Sequence, residues 1–323
     1  MILKKVNVIE SLWVDSNYYS TIRPKLSEAN IPILRQTVLS LTRLYDDVFW
    51  KELQNDHKID IAVPDYRHWY YDDDVFDLYV KHIASVHFPV FCMFECPFGF
   101  EYPSKISGTV FSNKLFERTK KLASAIKKNF SDTIILSPAI GIIEEKFRSL
   151  YLDYFVHNRQ YFDGYAVHVC NDMTDYSLGK VSSLLTQVMK VLSKKLYVTK
   201  WALPVFDGDI INIKSMEPLN WKPHQTTEAE TRLTRSLSLI DSIASVGSHW
   251  FYVGLGRDLY HPRQSSSEQV FWNQSKLPLI PDHWHDYWNE WRFWHFLGMS
   301  ESDGKLKEQF LSTFIKFAQK QNA

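Results

Sequence analysis

The sequence lacks an excess of either charge, and it lacks a long apolar run. Its 37 Lys and Arg residues balance 37 Asp and Glu residues, so the formal net charge is zero. Proteins that bind nucleic acid usually carry a basic excess, and the balance therefore argues against a nucleic-acid partner. No run of 18 apolar residues predicts a transmembrane helix, and Met1–Glu10 has no signal-peptide pattern. We therefore predict a cytoplasmic protein with no membrane partner.

Cysteine and glycine are also scarce, and their positions exclude two further classes of protein. The three cysteines, Cys92, Cys96 and Cys170, are too few for a disulfide framework. The spacing of Cys92 and Cys96 alone is a weak zinc signal, and we predict neither a metal nor a cofactor. The turn after Glu10 reads Ser-Leu-Trp-Val-Asp, without the glycines of a dinucleotide-binding turn. A nucleotide-binding open sheet is therefore disfavoured.

Short runs of β-branched and aromatic residues alternate with longer helical patterns, and eight such units fill the 323 residues. Continuous apolar strands are typical of a parallel sheet that is covered on both faces. Eight units favour a closed barrel over an open doubly wound sheet, which is the alternative. We predict an α/β fold, a single (β/α)8 TIM barrel over residues 1–323, with long loops at about 207–227 and 254–285.

The predicted strands are Val6–Glu10, Ile31–Thr37, Ile59–Val63, Pro89–Phe94, Thr133–Ser137, Gly164–Val169, Leu196–Lys200 and Trp250–Val253. The predicted helices are Tyr18–Ala29, Asp46–Leu53, Asp74–Val86, Lys114–Asn129, Glu144–Asn158, Leu178–Ser193, Glu228–Ser245 and Lys305–Gln319.

Polar and aromatic residues lie at the carboxyl ends of these strands and in the loops that follow. The carboxyl ends of barrel strands meet at one face, so we expect these side chains to share a site. Taken singly, each residue is more readily explained as capping an element or facing solvent, and it is the whole set that points to a site. The strand-end residues are Glu10, Arg35, Asp65, Glu95, Ser137, His168, Lys200 and Trp250. The loop residues are Trp13, His68, Trp69, Cys170, Asn171, Asp172, Trp201, Arg257 and Asp258.

The order of several short motifs resembles the retaining glycoside hydrolases of the large (β/α)8 clan that includes cellulase-like and xylosidase-like enzymes. Phe94-Glu95-Cys96-Pro97 resembles the Asn-Glu-Pro motif that ends the fourth strand of that clan. The segment 162–168 resembles the sixth strand, which ends in His168, and 196–201 resembles the seventh strand. The segment 31–35 resembles the second strand, whose terminal Arg supports the nucleophile.

This resemblance implies a glycan or glycoside ligand and the roles of the catalytic residues. It makes Glu95 the candidate general acid/base, with Lys200 and His168 as the other candidate catalytic residues. Lys200 stands where the clan has its nucleophilic Glu, and Phe94 stands where it has Asn. A protonated lysine neither attacks an anomeric carbon nor stabilises an oxocarbenium-like transition state. We therefore expect the usual retaining mechanism to be absent.

Three functions stay open on this basis. The first is a glycosidase that recruits another carboxylate as its base. The second is an inactive barrel that binds a glycan or a protein in the cleft where the resembled enzymes bind substrate. The third is a lyase. The lyase would form a Schiff base on Lys200, with Arg35 lowering its pKa. For a recruited base the candidates are Asp172, Asp258, Asp65 and Glu10. The expected substrate-binding residues are Trp13, Arg35, Asp65, His68, Trp69, Asp172, Trp201, Trp250, Arg257 and Asp258.

Two other segments carry unusual side chains. The residues Trp284, Trp288, Trp291 and Trp294 recur at helical spacing, and we predict that the segment 284–294 is either core or a homodimer contact. His283, His285 and Asp286 precede this face, yet His-x-His alone does not make a metal site. Asp72-Asp73-Asp74 is typical of a helix N-terminus, and we assign it no site role.

Overall fold

The computed structural model describes residues 3–10, 18–64, 72–94, 108–139, 148–170, 195–202, 249–254 and 306–323, with the isolated positions 183, 234, 235 and 238. The strands are β1 (Val6–Glu10), β2 (Ile33–Leu39), β3 (Ile61–Pro64), β4 (Val90–Cys92), β5 (Ile134–Leu136), β6 (Gly164–Cys170), β7 (Lys195–Ala202) and β8 (His249–Gly254). The helices are α1 (Arg23–Glu28), α2 (Leu41–Leu44), α3 (Asp47–Asn55), α4 (Asp73–Ile83), α5 (Gly108–Asn129), α6 (Arg148–Asn158) and α7 (Glu308–Asn322). A π-helical turn, Tyr18–Ile22, leads into α1, and a 3-10 turn, Arg159–Tyr161, follows α6.

The strands form one parallel, curled sheet with helices in the connections. Each strand pairs in parallel with the next along the chain, and β1 also pairs with β8. This order and direction agree with the predicted α/β fold. The helices predicted at 178–193 and 228–245 lie outside the described residues, so a complete (β/α)8 barrel over 1–323 stays a prediction.

The two faces of the sheet carry separate apolar clusters, because successive strand residues point to opposite faces. The outer cluster joins the strands to the helices and includes Val8, Leu26 and Phe314. The inner cluster fills the concave side with residues of all the strands from β1 to β7. Its buried members are Ile9, Leu34, Ile61, Val63, Val90, Cys92, Leu136, Ala139, Ala166 and Tyr197. Membership of one cluster or the other therefore tells which way a strand residue faces.

Two helices begin at aspartates that cap their free N–H groups. Asp46 accepts a hydrogen bond from the backbone N–H of Phe49 at 3.0 Å, and Asp72 accepts one from Val75 at 3.0 Å. Such caps typically stabilise a helix by about 1 kcal/mol. The interpretation of Asp72-Asp73-Asp74 as a helix start is confirmed. Asp73 also pairs with Arg118 of α5, which joins the two neighbouring helices.

The last helix is joined to the first strand by side-chain hydrogen bonds. The amide of Asn322 accepts from the backbone N–H of Val6 at 2.8 Å and donates to the Val6 carbonyl at 2.9 Å. Lys25 of α1 also contacts both carboxylate oxygens of Glu308 at 2.9 Å. Elements some 300 residues apart in sequence therefore pack as one body. No helix in the described parts of the chain is both long and apolar enough to span a bilayer.

Candidate functional site

The structure describes only some of the residues that the sequence singled out. The side chains of Glu10, Arg35, Ser137 and Trp201 are described, and for His168, Lys200 and Trp250 the backbone is described. Outside the described residues lie Trp13, Asp65, His68, Trp69, Glu95, Asn171, Asp172, Arg257 and Asp258, together with the loops 207–227 and 254–285 and the segment 284–294. The predicted roles of those residues therefore stay predictions.

Arg35 lies on the outer side of the sheet, away from the expected site. β2 runs to Leu39, so Arg35 is the third of seven strand residues, and its neighbour Leu34 belongs to the inner cluster. Its guanidinium pairs with Asp56, in the connection that precedes β3. Because alternation sends Leu34 inwards, Arg35 points to the helix layer, where it lines an open groove of about 440 Å³. The expectation that Arg35 supports a site inside the sheet is corrected accordingly.

Glu10 is also held on the outer side. Its carboxylate accepts a hydrogen bond from Nε of Arg23 at 2.6 Å, and the Glu10 side chain is almost entirely buried. Tyr18 lies beside it, and burial, followed by the charge of Glu10, raises the pKa of the Tyr18 hydroxyl. A carboxylate paired to Arg23 beneath α1 is not available as the base of a hydrolase. Glu10 is therefore no longer a candidate for the catalytic base.

Ser137 links two strands. Its hydroxyl donates to the carbonyl of Pro138 at 2.9 Å and accepts from the backbone N–H of Ala166 at 3.0 Å. The side chain is fully buried. The bond from Ala166 joins the end of β5 to β6, and the bond to Pro138 satisfies the hydroxyl donor locally. These two hydrogen bonds explain why a polar residue lies at this strand end.

Trp201 lies beneath the last helix and not in a cleft. Its side chain has no exposed surface, and its ring packs against Phe314 and Phe317 of α7 with centroids 6.1 and 6.4 Å apart. A ring buried in this way cannot stack on a sugar. The prediction that Trp201 binds substrate is therefore corrected.

A β-bulge in β7 explains the direction of Trp201. Val167 pairs in register with Val198, but the next residue, His168, pairs with Lys200, so Thr199 is an extra residue in β7. Tyr197 faces inwards. Without the bulge, alternation would turn residue 201 inwards as well, and the extra residue reverses this.

The same register brings His168 and Lys200 side by side. Both lie in the carboxyl-terminal half of their strands, and their backbones are direct neighbours in the sheet. Trp250, in contrast, is the second residue of β8 and pairs with Val6 at the amino end of β1. Its register position corrects the expectation that it ends a strand. The sheet therefore brings together two of the three candidate catalytic residues.

Two features at the strand ends escaped the sequence reasoning. Phe94, directly before Glu95, is buried and has a backbone φ of 48°, a value that bulky residues rarely adopt. Thr199 is 5% exposed, and its hydroxyl has no hydrogen-bond partner within the described part of the chain. The polar pair Thr199-Lys200 at the end of an apolar run was the available signal for Thr199.

Among the described residues no group of three His, Cys, Asp or Glu side chains is arranged to hold a metal ion.

Comparison with known proteins gives structural relatives only. No family model matches the chain, and no curated protein is significantly similar to it in sequence. Among solved structures, a thermostable mutant of a xylanase from Cellvibrio japonicus is 9% identical, with a TM-score of 0.59 over 98% of this chain and 97% of the xylanase. A glucosidase from Croceicoccus marinus is 11% identical, with a TM-score of 0.56 over 99% of this chain and 68% of the glucosidase.

A third relative was solved with a glycan. BuGH86 in complex with neoagarooctaose is 10% identical, with a TM-score of 0.52 over 82% of this chain and 56% of BuGH86. At such low identity these matches show the fold alone. The chain has the fold of parallel strands and helices that is found in glycoside hydrolases with TIM-barrel-like structures.

Proposed function

We propose that the chain is a glycoside-hydrolase-like barrel, complete over residues 1–323, that acts on or binds a glycan at the carboxyl ends of its strands. The observation that carries this proposal is the fold match to a xylanase over 98% of this chain and 97% of the xylanase. Barrels of this kind build their sites at the carboxyl ends of the strands. His168 and Lys200 are neighbours in that part of the sheet.

In this proposal Glu95 is the general acid/base, and Lys200 replaces the nucleophile of the retaining mechanism. Retaining enzymes need a second carboxylate about 5–5.5 Å from the acid/base, and an ammonium group does not serve this purpose. Hydrolysis therefore requires a recruited carboxylate about 6.5–9.5 Å from Glu95, with water between them. After the corrections above, the candidates are Asp65, Asp172 and Asp258.

The remaining proposed ligand contacts lie in the loops that follow the strands. Aromatic rings supply flat faces for sugar rings, and charged and imidazole groups supply hydrogen bonds to hydroxyls. These contacts are Trp13, His68, Trp69 and Arg257, in addition to the three aspartates.

A specific observation favours a second candidate, an inactive barrel that binds a glycan or a protein. Lys200 stands where the resembled clan has its nucleophile, and it lies in the sheet as a neighbour of His168. The Schiff-base lyase loses support, because Arg35 was to lower the pKa of Lys200 and is instead paired with Asp56 on the outer side. The choice is therefore between a rewired hydrolase and a glycan- or protein-binding barrel.

The test combines a crystal structure with an activity panel. The structure measures the distance from the Glu95 carboxylate to the Lys200 ammonium and to the nearest other carboxylate. The panel offers aryl glycosides and xylo-, cello-, laminari- and agaro-oligosaccharides to the wild type and to Glu95→Gln. Hydrolysis that Glu95→Gln abolishes supports the hydrolase, whereas binding without hydrolysis supports the binding barrel. Neither binding nor hydrolysis across the panel, or Glu95 pointing away from Lys200, refutes the glycan proposal.

A further inference from the structure

Phe94 has a backbone conformation that its residue type rarely adopts. Of the non-glycine residues that the structure describes, only Asn30 and Phe94 have a positive φ, 55° and 48° respectively. Asn30 directly follows the C-cap residue of α1, where a left-handed asparagine is common. Phe94 instead follows a strand, and a bulky residue in this region is strained. Strain of this kind persists only where the surroundings enforce it, and it clusters at functional sites.

The ring of Phe94 supplies the enforcing contact. The side chain is 2% exposed and belongs to the outer cluster, between the strands and the helices. The backbone before it is also fixed, because the N–H of Met93 donates to the carbonyl of Leu136 in β5 at 2.9 Å. Phe94 is therefore held by the sheet on one side and by its own ring on the other. The direction of the chain after Phe94 thus depends on this one backbone conformation.

The left-handed residue breaks the alternation of β4. Val90 and Cys92 belong to the inner cluster, and Phe91 and Met93 belong to the outer cluster. Regular alternation would place residue 94 inwards and residue 95 outwards, towards the helices. Phe94 belongs to the outer cluster instead, so two consecutive residues face that side. The outward direction that a regular strand gives to residue 95 is therefore lost.

We propose that Phe94 is a positioning residue, whose left-handed backbone turns Glu95 away from the helix layer and towards the carboxyl ends of the strands. This inference rests on the proposed function, in which Glu95 is the general acid/base and meets the glycan there. A general acid works only within hydrogen-bonding reach of the atom that it protonates, so its direction matters as much as its presence. Phe94 itself takes no part in binding or in proton transfer.

The experiment compares glycine and alanine at two positions of the same strand. Phe91 is the matched control, because its ring is also buried in the outer cluster and its backbone lies within β4. Both substitutions remove the ring, but glycine adopts a positive φ freely and alanine does not. Urea unfolding measures the stability of Phe94→Gly, Phe94→Ala, Phe91→Gly and Phe91→Ala. Activity is measured as kcat and KM on an oligosaccharide that the wild type hydrolyses, or as Kd if it binds without hydrolysis.

We expect the order of glycine and alanine to differ between the two positions. At residue 91 alanine should give the higher urea midpoint, as is usual in a strand, whereas at residue 94 glycine should match or exceed alanine. Phe94→Ala should lower kcat about 10- to 100-fold with little change in KM, because a catalytic group misplaced by about 1 Å has effects of this size. If the wild type only binds, its Kd should rise about 3- to 10-fold, as for the loss of one hydrogen bond.

The remaining variants separate aiming from packing. Phe94→Gly should recover part of the loss seen in Phe94→Ala, although both lack the ring. The two variants at residue 91 should keep the kcat or Kd of the wild type below their unfolding midpoints. If the ring deletions at residue 94 prevent folding, Phe94→Leu and Phe91→Leu carry the same comparison, and only Phe94→Leu should lose activity.

Three outcomes contradict the inference. A higher urea midpoint for Phe94→Ala than for Phe94→Gly shows that the left-handed backbone is not retained. An equal effect on kcat or Kd at residues 91 and 94, with a wild type that hydrolyses or binds glycan, overturns the positioning role and leaves the proposed function intact. A wild type that neither hydrolyses nor binds any of the oligosaccharides refutes the proposed function and the inference together.

Discussion

The contact between Asn322 and Val6 gives a sharp test of how the last helix stabilises the first strand. The Asn322 amide bonds both the N–H and the carbonyl of Val6, as a neighbouring strand would, at 2.8 and 2.9 Å. In Asn322→Ala both backbone groups lose these partners. Each such loss costs about 1–3 kcal/mol when the group is buried, and the partial exposure here favours the lower end.

We therefore expect Asn322→Ala to lose about 2 kcal/mol of unfolding free energy. For a chain of this size that lowers the Tm by about 3 °C. Asn322→Asp keeps the acceptor for the Val6 N–H but sets a carboxylate oxygen against the Val6 carbonyl, so it should be at least as destabilising. Urea unfolding and scanning calorimetry measure both effects.

Gln321→Ala is the matched control on the same turn of α7. Gln321 bonds the Nζ of Lys5 through its side chain and no backbone group of β1 is involved in that bond. Its loss should cost no more than about 0.5 kcal/mol, as for most surface substitutions. These costs predict that Asn322→Ala melts about 2 °C below Gln321→Ala. If the two variants melt at the same temperature within error, the bidentate contact does not hold the strand.

Three further substitutions test the packing and the titration of the helix layer. Phe314→Ala should cost about 3–5 kcal/mol in urea unfolding, because the ring fills the space against Trp201, and a loss below about 1 kcal/mol would contradict the buried contact. Thr119→Val should cost about 1–3 kcal/mol because it removes a hydrogen bond between two buried hydroxyls, and adding Tyr154→Phe should recover part of that loss. Burial lowers the folded-state pKa of His82, so the unfolded state binds more protons and the urea midpoint should fall as the pH drops below about 6.5. His82→Gln should reduce this pH dependence, and an equal dependence in both proteins would refute the assignment.

The positions of most strands were predictable because each is a short apolar run bounded by polar turns. β2 shows where such reasoning stops. The predicted strand began at Ile31, but Pro32 lies before the strand, and its carbonyl accepts from the N–H of Val8. The strand runs on to Leu39, past the charged Arg35, which the sequence prediction places near the strand end. The Arg35 side chain is partly exposed and pairs with Asp56, so its charge does not end the strand.

The candidate site was less predictable because its geometry depends on one inserted residue. The side-chain direction of every residue after Thr199 in β7 depends on the bulge, since alternation has a period of two. Nothing in the letters 196–201 distinguishes a bulged strand from a regular one. Trp201 was accordingly expected in the cleft and is found beneath α7. The neighbouring positions of His168 and Lys200 likewise follow from the pairing of two strands and not from either strand alone.

The inner cluster also determines where a bound molecule can go. Gly164 accepts no side chain, since a Cβ there would lie 2.4 Å from the ring of Tyr197, and this ring helps to fill the concave side. Along the described strands from β1 to β7, the concave side is therefore filled by apolar side chains, as in a packed barrel core and not a pore. In the proposed function a glycan therefore lies across the carboxyl ends of the strands and does not thread between them. New ligand preferences should thus be engineered in the connecting loops, where changes leave this apolar packing intact.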